Sequence, residues 1–411
     1  MTRLIITLIL VLLIDIYVFQ AVRTVTDTWA PGLRKAMYIG YWAVSLFTLG
    51  TLLLALLSRG TAPNPMRMQV ANVLFILFIS KLVVVLFLLV DDLVRLTQFL
   101  SNTFRGPEKP QFDLSRHKFL NQLALVMGAL PLATLIWGMV KGAYSYQVKR
   151  VTLQFPNLPA AFDGFRLLQI TDMHAGSFSS GEPLEEAVAL INQQAADVVV
   201  FTGDSVNNVA TELEPYVPIL AKIKAPSGVY SILGNHDYGD YVQWSSREAK
   251  LENLTALKQH QRRAGWDLLL NEHRVFERNG QRIALLGVEN WSTRMHFPRY
   301  GSLARAHSGT EDIPFKVLLS HDPSHWDGEV NTKYQDIDLT LSGHTHGMQF
   351  GVNIPGFRWS PVQYVYKQWA GLYKRGKQHL YVNVGLGFLG YHGRVGFLPE
   401  ITVFEFKRAG A

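Results

Sequence analysis

Hydrophobic patterning changes regime near residue 150. Before it, apolar residues run almost unbroken: residues 4–22 are interrupted only by Asp15, 36–58 by no charge, 68–90 only by Lys81, and 119–140 by no charge. Each run can cross a hydrocarbon core, which takes ~20 residues at 1.5 Å rise. Pro31-Gly32, Pro63-Asn64-Pro65 and Gly106-Pro107 fall between the runs, where helices should stop. One such run would equally suit a signal peptide or a buried core helix. Four in series predict a four-helix transmembrane domain over residues 1–150.

After a linker-like stretch at 151–163, short β-branched runs alternate with amphipathic ones. Strands are expected at 165–171, 197–202, 229–233, 283–288, 316–320 and 337–341, and helices at 183–194 and 212–222. Pro183 and the acidic first turn of 183–194 suit a helix start. This alternation predicts an α/β domain over residues 151–411.

Composition narrows the class. The 411 residues are 48% hydrophobic and 17% charged, too apolar for a disordered chain. With no cysteine, disulfide scaffolds, thiolate zinc sites and cysteine nucleophiles are excluded. The net charge of +7 is unevenly spread: residues 1–150 hold 15 of the 39 Lys+Arg and 6 of the 32 Asp+Glu, while 12 of 13 histidines lie beyond them. The basic excess flanks apolar runs, which argues against a nucleic-acid partner and for a lipid bilayer.

Four spans put Met1 and the large domain on one side, with Arg3, Arg59, Arg67, Lys141, Lys149 and Arg150. Eight basic residues fall on the other, so the positive-inside rule leans towards an extracytoplasmic α/β domain. Asp15 and Lys81 lie inside spans and are expected to pair with each other or a neighbouring helix rather than line an ion pathway.

Chemistry collects where strands end. The run at 165–171 leads into Asp172-Met173-His174, and 197–202 into Gly203-Asp204. The third leads into Gly234-Asn235-His236-Asp237, 316–320 into His321-Asp322, and the last into Gly343-His344-Thr345-His346-Gly347. Open α/β sheets place their sites at the carboxyl ends of strands, so loops distant in sequence can converge there. Asp-X-His or Gly-Asp alone is an ordinary turn. His344 and His346, alternate residues between glycines, point the same way in an extended segment and suit no core. Asp, His and Asn together suit borderline metals such as Mn, Fe or Zn.

From Phe165 to Val384 these five blocks, in order, resemble the calcineurin-like metallophosphoesterases. With the N-terminal spans the chain is similar to their membrane-anchored branch, the YkuE/YaeI type. The resemblance implies an α/β sandwich and two divalent metal ions: Asp172, His174 and His346 on one, Asn235, His321 and His344 on the other, and Asp204 between them. It implies that His236 approaches the phosphate, oriented by Asp237, while metal-activated hydroxide cleaves a phosphoester or pyrophosphate bond. Asn207-Asn208 and Gly347-Met348-Gln349 depart from the family pattern without removing a ligand.

Substrate signals are weaker. The stretch 349–373 carries Phe350, Phe357, Trp359, Tyr364, Tyr366, Trp369 and Tyr373, interleaved with Arg358 and Lys367. It suits an interfacial aromatic belt reaching a lipid headgroup, or ordinary packing beside the core. The glycine-rich 383–396 suits a loop close to a ligand, with Arg394 a candidate phosphate clamp. Trp244, Trp291 and His325 are assigned no role, His325 reading as a surface residue. A membrane-anchored phosphohydrolase acting on a phosphorylated, lipid-linked substrate fits best, a UDP-diacylglucosamine-type molecule being one candidate. A non-catalytic metal-binding sensor or scaffold is the alternative, and a transporter would need more polar spans.

Overall fold

The computed structural model describes residues 2–57, 65–105, 114–294 and 297–410. The turns expected at Pro63-Asn64 and Gly106-Pro107 lie outside them. Two compact units emerge, Met1–Gly138 with Gly390–His392, and Met139–Leu389 with Gly393–Ala411. The division falls at 138–139 rather than at the expected 150–151.

The first unit contains α1 (Thr2–Thr26), α2 (Pro31–Leu57), α3 (Pro65–Arg105) and α4 (Leu114–Val140). All four are long and apolar enough to cross a membrane. Helix α3 runs 15 residues past the expected end at Val90, since the chain from 91 to 105 has no glycine or proline to stop it. Lys81 pairs with Asp15, as its place inside a span required, and donates to Ser45 Oγ at 3.1 Å. Tyr41 donates to the Asp15 carbonyl at 2.8 Å. Three helices are thereby joined through one buried charge pair. Nearer the far end of α3, Asp91 meets His117 at 2.7 Å and Asp92 accepts from Tyr17 at 2.6 Å.

The second unit is a sandwich of two six-stranded sheets. One has the order β1 (Gln147–Phe155), β14 (Glu400–Arg408), β2 (Arg166–Ile170), β3 (Val198–Phe201), β4 (Val229–Ser231), β5 (Asp267–Leu268). The other runs β12 (Gly371–Arg375), β13 (Gln378–Val382), β9 (Leu339–Ser342), β8 (Lys316–Leu319), β7 (Gln281–Gly287), β6 (Glu272–Arg278). Strands β2 to β5 are parallel, as are β7, β8, β9 and β13. Val198-Val199-Val200-Phe201 is buried throughout, as expected of a strand covered on both faces. Leu167, Val198, Val200, Leu285, Val317, Leu339 and Phe404 meet between the sheets. Helices α5 (Glu182–Gln193), α6 (Val217–Leu220) and α7 (Arg247–Arg263) accompany the first sheet.

Two expectations change. The linker at 151–163 begins instead as β1, nine residues paired in parallel with β14, because its partner lies some 250 residues away and leaves no local signal. The helix at 212–222 is broken into two 3-10 turns and the short α6, Pro215 and Pro218 each removing an amide donor.

Candidate metal centre

The five motifs follow β2, β3, β4, β8 and β9, so parallel register alone delivers them to one edge of the sandwich. His174 Nε2 lies 3.0 Å from His346 Nε2, which is 3.2 Å from Asp172 Oδ1. Asp204 Oδ2 is 3.7 Å from His174 Nε2 and 3.1 Å from His321 Nε2. His344 Nδ1 is 3.3 Å from His321 Nε2 and 2.7 Å from Asn235 Oδ1. Asp204 therefore stands between a group formed by Asp172, His174 and His346 and one formed by Asn235, His321 and His344.

The local backbone is strained to achieve this. Asp172, His174, Asp204, His344 and His346 all have φ between 48° and 72°, a region few non-glycine residues adopt. Backbone bonds hold them there: the Asp172 amide donates to Gly203 O at 2.9 Å, His174 to Asp204 O at 3.1 Å, and His344 to both Asp172 carboxylate oxygens at 2.9 and 3.0 Å. Gly234 and Gly343 admit no side chain, since a Cβ would sit 2.2 Å from Asp204 Oδ1 and 2.1 Å from Asp172 Oδ2.

Electrostatics favour a cation here. Burial would raise both central carboxyls, but His346 and His321 hold Asp172 below its usual range, and His321 and His236 do the same for Asp204. Burial would lower His321, yet Asp204 outweighs it and lifts the imidazole to about 10. His174 and His344 are lowered chiefly by burial. His321 Nδ1 donates to Thr202 O at 2.8 Å, so it is Nε2, 3.1 Å from Asp204 Oδ2, that would exchange its proton for a cation at the centre. Imidazole nitrogens, carboxylate oxygens and the Asn235 amide oxygen converge here at 2.7–3.3 Å. Such a set could hold a divalent cation: the ligand atoms of Asp172, His174 and His346, like those of Asp204, His321 and His344, lie within 4.8 Å of one another.

Two expected roles are corrected. Asp237 does not touch the His236 ring. Its carboxylate accepts from the amides of Gly234, Asp204 and Ser205 at 2.8–2.9 Å and from Ser205 Oγ at 2.6 Å, so it pins the backbone carrying Asp204. Burial, then Asp204, raises its carboxyl to about 6. The His236 ring is oriented by the Asn207 carbonyl, 2.7 Å from Nδ1. Nor is Arg394 available as a phosphate clamp. It is wholly buried, its guanidinium bonded to the carbonyls of Gly387, Val384 and Phe397, with Nη2 3.2 Å from His346 Nδ1. It braces the glycine-rich loop behind His346.

Two tyrosines border the centre without belonging to its motifs. Tyr241 accepts from Asn235 Nδ2 at 2.9 Å and covers the His236 ring. Tyr366 Oη lies 2.8 Å from His344 Nε2 and donates to Asp322 at 3.4 Å. Neither tyrosine belongs to a strand-end motif, so only spacing in three dimensions reveals them. His325 is buried rather than on the surface, stacked on Trp291 and bonded to Ser320 and Glu329.

Such a donor cluster at the strand ends of a double-sheet sandwich, in a chain with four membrane-crossing-length helices, defines a membrane-borne metallophosphoesterase. The family described as calcineurin-like phosphoesterase matches residues 165–348, and the one described as probable calcineurin-like phosphoesterase, transmembrane domain, matches residues 1–143. The uncharacterized metallophosphoesterase YkuE of Bacillus subtilis is 31% identical over 72% of this chain and 98% of its own. A transmembrane protein with metallophosphoesterase domain from Danio rerio is 32% identical over 70% of this chain, which spans 62% of that relative. Phosphodiesterase YaeI of Escherichia coli is 26% identical over 59% of this chain and 82% of its own. The chain belongs to the calcineurin-like phosphoesterases, in their membrane-anchored branch, and is a phosphoester hydrolase.

Proposed function

We propose that this chain is a dimetal phosphohydrolase whose substrate is a phosphorylated lipid or lipid-linked molecule. Asp172, His174 and His346 would hold one divalent ion and Asn235, His321 and His344 the other, with Asp204 shared. The N/O donor set suits Mn, Fe or Zn. When bound, such a pair lowers the pKa of a water nucleophile and offsets charge on a phosphoryl group.

The chain's own residues do the rest. Asp237 and the strained turns keep the donors convergent, so little reorganisation is needed on binding. Asn207 O favours the proton on His236 Nδ1 and leaves Nε2 towards the open side, where a protonated imidazole would neutralise a departing oxygen. Tyr241 restricts the approach to that ring. The observation carrying the reading is the convergence of His174, His321, His344 and His346 on the buried carboxylates of Asp172 and Asp204, in two groups of ligand atoms each within 4.8 Å.

The four apolar helices favour a lipid-borne substrate, and the name of the YaeI relative favours a diester. The charge balance favours an extracytoplasmic site, suiting envelope phosphodiesters. A UDP-diacylglucosamine-type pyrophosphate would call for the opposite side. The test is hydrolysis by detergent-purified full chain with Mn²⁺, using a chromogenic phosphomonoester and its diester, with His236→Ala as control. Turnover lost in the control supports the reading; turnover equal in both, or none on soluble and lipid phosphoesters alike with metal bound, would sink it.

A further inference from the structure

A two-stranded ribbon beside the centre exposes an apolar face. In β10 (Val352–Ile354) and β11 (Phe357–Trp359), Val352 pairs with Trp359 and Ile354 with Phe357. Side chains alternate along a strand, so these four share one face, and Asn353 and Arg358 share the other. Arg358 lies 5.1 Å over the ring of Trp369, itself buried with Val362, Tyr366 and Phe397. Asn353 and Arg358 remain exposed, Trp359 is half-buried, and the rest of the apolar face also meets solvent. Val352 is 40% exposed, Ile354 57% and Phe357 55%. Tyr364, 77% exposed, accepts the Trp359 indole N–H at 3.3 Å and extends the patch.

Isolated exposed apolar residues need no explanation, but a contiguous patch of this kind marks a contact surface. Its charge surroundings say which. From residue 339 to 399 the sequence has no Asp or Glu and six Lys+Arg. Arg358, Lys367, Lys374, Arg375 and Lys377 are exposed. An apolar ridge carrying Trp359, Tyr364 and Arg358, in a stretch of chain without acidic residues, matches the headgroup–acyl boundary of an anionic bilayer. The same chain carries four helices long and apolar enough to cross a membrane. The ribbon is also tied to the site: Ser360, next after β11, donates to Gly347 O at 2.8 Å, beside His346.

We propose that the β10–β11 ribbon docks its apolar face into an anionic lipid surface and that the adjoining centre takes its phosphoester from that phase. The lipid contact stands on these residues alone; the substrate half rests on the phosphohydrolase reading.

The absence of cysteine makes the test direct. Full-length Ile354→Cys, Phe357→Cys and, as an aqueous control on α7, Glu252→Cys would be spin-labelled and reconstituted in phosphatidylglycerol-containing vesicles. Labels at 354 and 357 should collide readily with oxygen and poorly with a water-soluble nickel chelate, the reverse of 252. Chelate access equal to that at 252 overturns the contact. So does shielding from both reagents, which would place protein over the ribbon. The double variant Ile354→Ser/Phe357→Ser should hydrolyse a fluorogenic lipid phosphodiester in those vesicles at least about tenfold more slowly, with a soluble diester unaffected. Equal rates on the vesicle substrate overturn the substrate half. A wild type inactive on every phosphoester overturns that half and the phosphohydrolase reading, while the label depths still decide lipid contact.

Discussion

His236 and Asp237 are adjacent in sequence and bond to different partners, the first to the Asn207 carbonyl and the second to the backbone of Asp204. Asp204→Asn removes the charge shared by both halves of the centre and should lose metal and turnover together. His236→Ala should keep its metal, measured by elemental analysis, while turnover falls about 10²–10⁴-fold. Equal metal loss in the two variants would contradict the separation. Gly234 offers a subtler probe, because a Cβ there meets Asp204 Oδ1 at 2.2 Å. Gly234→Ala should lose metal with unchanged circular dichroism, although glycine contributes no donor. The five left-handed residues of the centre each cost about 1–3 kcal/mol, a strain retained because the surrounding hydrogen bonds over-determine it.

At the level of elements, Arg394 separates bracing from binding. Three buried carbonyls would lose their donor in Arg394→Ala, at about 1–3 kcal/mol for each left unsatisfied. The variant should melt several degrees lower in detergent, and Arg394→Lys should not restore it, lacking the planar fork. A phosphate clamp would instead raise KM with stability unchanged. In the helical unit, Asp15 and Lys81 are buried partners across α1 and α3. Asp15→Ala or Lys81→Ala should destabilise it by about 3–5 kcal/mol, since each strands the other charge, whereas Asp15→Leu with Lys81→Met should be close to neutral. Thermal unfolding of the singles and the double checks this; additive losses would contradict it.

For the whole molecule, the centre couples motifs from five strands, so metal binding should be felt as stability. A ligand bound only to the native state stabilises by about 2.7 kcal/mol at one hundred times its dissociation constant. Chelation should therefore lower the melting temperature, Mn²⁺ should restore it, and Asp204→Asn should show little of either response. The sequence by itself determined the four apolar helices, the α/β class and the polar clusters at strand ends, because each is written in local patterning: long uncharged runs, buried β-branched strands, and Asp, Asn and His after them. Asn207 as the partner of His236, Arg394 as a brace, Tyr241 and Tyr366 beside the donors, and the pairing of β1 with β14 were decided by tertiary structure. In each case the contact joins atoms whose proximity depends on how strands align, and residue type alone does not encode it. The exposed apolar face of β10–β11 belongs to the same category: the aromatic stretch was visible, but which residues share one face followed from strand register.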